Sequence, residues 1–415
     1  MRLPSVEGAL KAKARLSTVV LETPWQPIER WSKKLDATVF LKREDLQQVR
    51  SFKIRGAYNK IKTLSQSECE QGIVCASAGN HAQGFAFSCR DLRIKGTVFM
   101  PLPTPKQKVE QVRMFGGDFV DIQLVGDTYD DSQKAARVFQ QQTQALFIHP
   151  FDDPDVIEGQ ATLALEILDQ AQQDLDYLFV PVGGGGLVSG ILTIFKALSP
   201  NTKIIGVEPV GAPSMYQSLQ KQHVVALSQI DKFVDGAAVQ KVGDLCFEIS
   251  NKYLDDCILV EEGRICKEIL DLYNKEGIVA EPAGAIALAA LEQFDQPLKG
   301  KQVGVLICGG NNDITRTPEI KERALLHAQL KHYFIIRFPQ RAGALKDFVN
   351  DILGPNDDIT FFEYSKKTSR VNAPAVVGIR LQSASDFEPL MHRMKAGGFF
   401  GDYLNNQPDL YQFLV

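Results

Sequence analysis

The chain has 415 residues, 44% of them hydrophobic and 23% charged, with a formal net charge of −4. That length suits two or three domains at roughly 100 to 200 residues each, and the composition is that of a folded globular protein, not a disordered one. The near-neutral balance gives no electrostatic reason to expect nucleic acid or an anionic membrane, which attract strongly basic faces, so a small-molecule substrate is the expected partner.

The first sixteen residues carry positive charges with no apolar run behind them, unlike a secretion signal. No segment approaches the roughly 18 consecutive apolar residues of a membrane helix. A cytoplasmic protein is expected. The seven cysteines, at 69, 75, 89, 246, 257, 266 and 308, are odd in number and include no C-x-x-C pair. They read as buried thiols, not as a disulfide framework or a zinc site.

From about residue 37 to 320, short runs rich in Val, Ile and Phe alternate with helical patterns, the signature of βαβ units around a parallel sheet. The fold class is α/β. Strands are expected at GIVCASA (72–78), TVFMP (97–101), YLFVPV (177–182), KIIGVEPV (203–210) and VGVLICGG (303–310). Ligands collect at the carboxyl ends of such strands, beside the next helix N-terminus.

Four stretches there carry chemistry. In SFKIRGAYNK (51–60), Lys53 opens an amphipathic helix, where the macrodipole and burial both favour a neutral, nucleophilic amine. Taken alone, it reads first as a solvated lysine, since lysines are mostly exposed. In SAGNHAQGFA (77–86), Ser77, Gly79, Asn80 and His81 form a strand exit that offers backbone N–H groups to a carboxylate or phosphate, or else an ordinary helix cap. In PVGGGGLVSG (181–190), four successive glycines lose about 0.5–1 kcal/mol each in chain entropy, more than a plain turn has reason to accept. A phosphate cradle explains them. The pattern matches neither a dinucleotide nor a Walker fingerprint, so a phosphomonoester is favoured. In ICGGNND (307–313), Cys308 has no neighbouring histidine to activate it and reads as a core thiol.

After about residue 325, alternation replaces helical texture. The order is strand (332–338), helix (342–353), strand (359–366), strand (375–382), helix (386–396) and a weak last strand, a compact βαββαβ unit.

Taken together, Ser-Phe-Lys, S-A-G-N-H and G-G-G-G-L in this order and spacing resemble the fold-type II pyridoxal-phosphate enzymes, a tryptophan synthase β-like body, and most closely the biosynthetic threonine dehydratases. The resemblance spans almost the whole chain. It implies that Lys53 holds pyridoxal 5'-phosphate covalently, with Phe52 packed against the cofactor and Asn80 at its ring hydroxyl. It implies a phosphate cradle of Gly183, Gly184, Gly185, Gly186 and Leu187, and Cys308 opposite the ring nitrogen. A neutral thiol there cannot hold that nitrogen protonated, which favours β-elimination over transamination. Ser77, Gly79, Asn80 and His81 would hold the substrate carboxylate, with Glu281 of EPAGA (281–285) assisting.

Related serine racemases bind a divalent cation through an acidic cluster after V-E-P; here only Glu208 is acidic in residues 208–214, and no metal is expected. The resemblance divides the chain into a catalytic domain, 1–325, with a small subdomain of about 48–150 inserted, and an ACT-like regulatory domain, 330–415. It implies threonine as substrate, isoleucine as inhibitor with valine opposing it, and a homo-oligomer, dimer or tetramer. Serine dehydratase or racemase of the same fold, and a non-catalytic amino-acid sensor, remain the alternatives.

Overall fold

The computed structural model describes residues 2–339, 341–364 and 372–407. It divides into two compact units, Met1–Ile314 and Thr315–Val415.

The first unit contains strands β1 (Trp25–Pro27), β2 (Thr38–Arg43), β3 (Ile73–Ala76), β4 (Gly96–Met100), β5 (Val120–Leu124), β6 (Leu146–Phe147), β7 (Tyr177–Pro181), β8 (Lys203–Pro209), β9 (Asp256–Val260) and β10 (Gln302–Ile307). They form a six-stranded sheet, β1-β2-β10-β7-β8-β9, and a four-stranded sheet, β5-β4-β3-β6. Every pairing is parallel except β1 with β2. Every residue of β3 and of β7 is buried, as strands covered on both faces must be, which is why they read as unbroken apolar runs.

The helix Pro154–Gln170 is the spine that positions the site. Asp153 caps it, accepting from the N–H groups of Asp155 and Val156, and proline takes its first turn. Two helices approach it through glycine. A Cβ on Gly159 would lie 2.5 Å from the Arg55 carbonyl oxygen, and one on Gly190 would lie 2.7 Å from that of Ile157. The spine therefore holds the helix begun by Lys53 and the helix begun by the glycine-rich loop at backbone contact.

The second unit contains β11 (Lys331–Pro339), β12 (Asp358–Tyr364), β13 (Asn372–Arg380) and β14 (Phe400–Tyr403) in the antiparallel order β12-β13-β11-β14. Phe334, Ile336 and Phe338 alternate along β11 into a core with Phe348, Ile352, Leu390 and Met394. Three details differ from the sequence pattern. The helix expected from 342 begins at Ala344, because Gly343 sits at φ +88, and its last turn, Phe348–Ile352, is π-helical. The polar helix Thr317–His327, expected in the body, falls within the second unit, where Ile320 and Ala324 are buried. The last two residues of the strand expected at 359–366 lie outside the described residues. No described helix is long and apolar enough to cross a membrane.

Candidate active site

Lys53 is the first residue of the helix Lys53–Lys62, as its sequence setting predicts. The segment before it runs beside the exit of β10: Ser51 bridges Gly309, and the Phe52 N–H donates to the Cys308 carbonyl at 3.1 Å. Two motifs more than 250 positions apart are thus brought together by backbone pairing. The Lys53 amine donates to the Pro150 carbonyl at 2.9 Å and lies 5.3 Å from the centre of the Phe52 ring. The residue keeps a little accessible surface, yet its amine is enclosed by protein, and that burial lowers its pKa to about 8.

Two residues further on, Arg55 anchors this turn. Its guanidinium donates to both oxygens of Glu44 at 2.8 Å and to Glu166 at 2.6 and 2.8 Å, while Lys42 donates to Glu166 at 2.7 Å. All four side chains are buried. A paired network of this kind fixes geometry more than it adds net stability.

Asn80 opens the helix Asn80–Leu92 after β3, and no side chain caps that helix. Its amide donates to Glu281 Oε1 at 2.6 Å and its carbonyl accepts from Asn311 Nδ2 at 2.7 Å. Glu281 sits at the N-cap position of the helix Pro282–Ala289, its side chain making no cap bond, and is 4% exposed. Burial, then the charge of Asp235, pushes its carboxyl up to about 7. Open space faces Gly79, where an added Cβ would meet nothing within 4 Å. Ser77 accepts from the Gly79 N–H at 3.3 Å. The His81 imidazole turns inward, its Nε2 bonded to the Ile148 carbonyl at 3.2 Å, and burial and the nearby Lys53 lower its pKa to about 3. What His81 offers a ligand is therefore its backbone N–H, not its ring.

The helix Gly186–Leu198 is likewise uncapped, with Gly185 at φ +96 before it. A Cβ on Gly184 would lie 2.3 Å from the Phe151 ring, and one on Gly185 would lie 2.7 Å from Cys246 Cβ. The loop is pressed against its support, leaving the helix N-terminal N–H groups as its polar offering. Leu187 packs into the helix and is 5% exposed. The Cys246 thiol is among the titratable groups near Lys53, which places the loop's support close to the amine. Cys308 donates to the Ala283 carbonyl at 3.2 Å; burial and the charge of Glu281 push its thiol well above the usual range, so it stays protonated. All seven cysteines are unbridged, and only Cys69 is not buried. Glu208 is engaged by the Met215 and Tyr216 N–H groups at 2.9 and 2.7 Å.

Phe151, Cys246, Asn311 and the Arg55 network were not singled out by sequence. Asn311 stood in a quoted stretch, where two asparagines after a Gly-Gly strand exit could have drawn notice.

An enclosed amine of lowered pKa, an uncapped glycine-led helix N-terminus and a neutral thiol fit one group, a phosphorylated aldehyde. The buried Asn311 Oδ1 and Ser51 Oγ, which have no hydrogen-bond partner among the described residues, add polar atoms beside it. Fold and site together define a pyridoxal-phosphate-dependent enzyme. Residues 16–309 match the family described as pyridoxal-phosphate dependent enzyme, and residues 322–414 match the C-terminal regulatory domain of threonine dehydratase. The chain is 52% identical over 413 residues to the biosynthetic L-threonine dehydratase IlvA of Bacillus subtilis (strain 168), covering 100% of this chain and 98% of that one. The corresponding Staphylococcus aureus (strain NCTC 8325 / PS 47) protein is 51% identical over 98% of this chain and 97% of its own. Among solved structures, processed threonine deaminase isoform 2 from Solanum lycopersicum superimposes with a TM-score of 0.72 at 37% identity, over 78% of this chain and 91% of that one. Maize serine racemase gives 0.72 at 30%, over 79% and 99%. The chain belongs to the biosynthetic threonine dehydratases.

Proposed function

We propose that the first unit dehydrates and deaminates L-threonine to 2-oxobutanoate and ammonia, opening isoleucine biosynthesis, and that the second unit regulates it. The observation that carries this reading is the convergence of Lys53, Asn80, Glu281 and Cys308 in a chain about half identical, along its full length, to biosynthetic threonine dehydratases.

Pyridoxal 5'-phosphate, when bound, supplies the electron sink that acidifies the substrate Cα–H and allows the β-hydroxyl to leave. Lys53 would hold it covalently, and Gly183 to Leu187 would hold its phosphate. Asn80 would donate to its ring hydroxyl, and Phe52 would pack beside it. The Cys308 thiol, kept neutral by burial, would face the ring nitrogen without a charge to hold it protonated. The turn of Ser77, Gly79, Asn80 and His81 would take the threonine carboxylate at the uncapped start of the helix Asn80–Leu92, with Glu281 beside it. The Lys53 amine would serve as the base for the Cα proton; with a pKa near 8 it is neutral often enough to do so.

The small subdomain of about residues 48–150 supplies the four-stranded sheet and the carboxylate turn. For the second unit we assign isoleucine as the inhibitory effector and valine as its opponent, two ligands with different affinities for two states. We assign a homo-oligomeric, cytoplasmic enzyme, a dimer or tetramer.

The test is reconstitution with the cofactor, followed by visible absorbance and 2-oxo-acid release from threonine and from serine. Faster release from threonine supports the assignment. Preference for serine moves it to serine dehydratase or racemase, the reading that the likeness to maize serine racemase favours. No visible band leaves a non-catalytic sensor. Isoleucine should inhibit and raise the melting temperature; if it does neither, the second unit serves assembly alone.

A further inference from the structure

Site residues come from both layers of the first unit: Asn80 from the four-stranded sheet, Glu281 and the glycine loop from the six-stranded one. Away from the catalytic groups, the ion pair of Lys108 and Asp235 also joins the same two layers. Lys108 lies on the helix Lys106–Gly116, which packs beside Asn80–Leu92 on the four-stranded side. Its ammonium donates to Asp235 Oδ2, in the segment between the helices Ser214–Lys221 and Asp244–Tyr253 on the six-stranded side. Both side chains are more than half-buried.

The segment carrying Asp235 lies flush against the site. A Cβ on Gly236 would lie 2.8 Å from Ala283 Cβ and 3.5 Å from Glu281 Oε1, and one on Gly183 would lie 3.0 Å from Ala237 Cα. The segment therefore touches both the Glu281 helix and the glycine cradle, and through Lys108 it also holds the opposite layer.

We propose that Lys108 and Asp235 form a clasp that closes the two layers over the site and that they are positioning residues for Glu281. The proposal rests on the site reading above. The clasp also acts electrostatically, because its two charges reach Glu281 with opposite sign. Asp235 raises the carboxyl's pKa and Lys108 lowers it. The other charged or titratable groups facing Glu281 are Lys53 and Cys308, with Asn80 and Asn311 hydrogen-bonded to it.

The experiment compares the parent with K108M, D235N and the swap K108D/D235K. Hydrogen exchange of residues 106–116 and 222–243, measured without cofactor, reads the clasp directly. Both single variants should exchange faster there, and the swap should recover part of the protection. In the loaded enzyme the KM for threonine should rise about two- to fivefold with kcat little changed. The kcat/KM pH limb due to Glu281 should move down in D235N and up in K108M, opposite directions that a merely structural defect would not produce. Unchanged exchange in both variants, or limbs that move the same way, would overturn the proposal. A parent that shows the exchange effects but turns over no threonine would sink the site reading and leave the clasp standing.

Discussion

Asn80 and Glu281 lie 201 positions apart, yet the Asn80 amide donates to Glu281 Oε1 at 2.6 Å and joins the two sheets at the site. The bond holds a carboxyl that burial has moved into the neutral range, to about 7. One contact thus couples the seating of the four-stranded layer to a proton that titrates near physiological pH.

That proton makes stability depend on pH in a definite direction. In the unfolded chain Glu281 titrates near 4.5, and in the folded one near 7. Below 4.5 both states hold the proton and nothing is lost. As pH rises from there to 7, the unfolded state ionises first and the folded state loses stability relative to it. Glu281→Gln keeps an acceptor for Asn80 and removes the charge. The variant should match the parent near pH 4.5 and exceed it by roughly 1–3 kcal/mol above pH 7. Urea unfolding at the two pH values checks this; a variant less stable than the parent at the higher pH would contradict it.

The Lys53 amine should govern capture of the cofactor. Its pKa is lowered by burial to about 8, so the reactive neutral form grows as pH rises through that value. The rate at which cofactor-free protein gains visible absorbance with pyridoxal phosphate should rise about tenfold per pH unit below 8 and level off above it. Lys53→Ala should gain no band and show no turnover. A pH-independent rate would mean that another step limits capture.

Much of this site was legible because its parts are local. Lys53 follows Ser51-Phe52 and opens a helix, and the four glycines sit between an apolar strand and a helix, so each motif announces itself within ten residues. Phe151, Cys246, Lys108 and Asp235 carry no such mark. Each matters through a contact with a distant segment, and no periodicity records which helix a lone side chain will meet. The unit boundary was obscured for the same reason: helical spacing in Thr317–His327 identifies a helix, but not which unit it joins.

Arg55 offers a prediction about folding rather than chemistry. Replacing it with alanine would leave Glu44 and Glu166 buried with only Lys42 and hydroxyl or amide partners nearby. Breaking a buried charge network in this way costs about 3–5 kcal/mol. Arg55→Ala should lower the urea midpoint accordingly and disturb cofactor capture through the displaced first turn. Arg55→Lys should recover little, since one ammonium cannot replace four directed hydrogen bonds.

The glycine loop separates two reasons for a glycine. Gly184 has no positive φ, so only the Phe151 ring, 2.3 Å from an added Cβ, forbids a side chain there. Gly185 sits at φ +96, which an L-residue resists at a cost of about 1–3 kcal/mol, and an added Cβ would also crowd Cys246 rather than Phe151. Gly184→Ala should therefore weaken cofactor binding and stability, and adding Phe151→Ala should restore part of both. Gly185→Ala should cause a similar loss that Phe151→Ala does not relieve. Cofactor titration by visible absorbance, with urea midpoints, checks the four variants. If Phe151→Ala rescued both alanines equally, crowding by Phe151 would explain the loop, and neither the backbone conformation at Gly185 nor its contact with Cys246 would be what holds the cradle open.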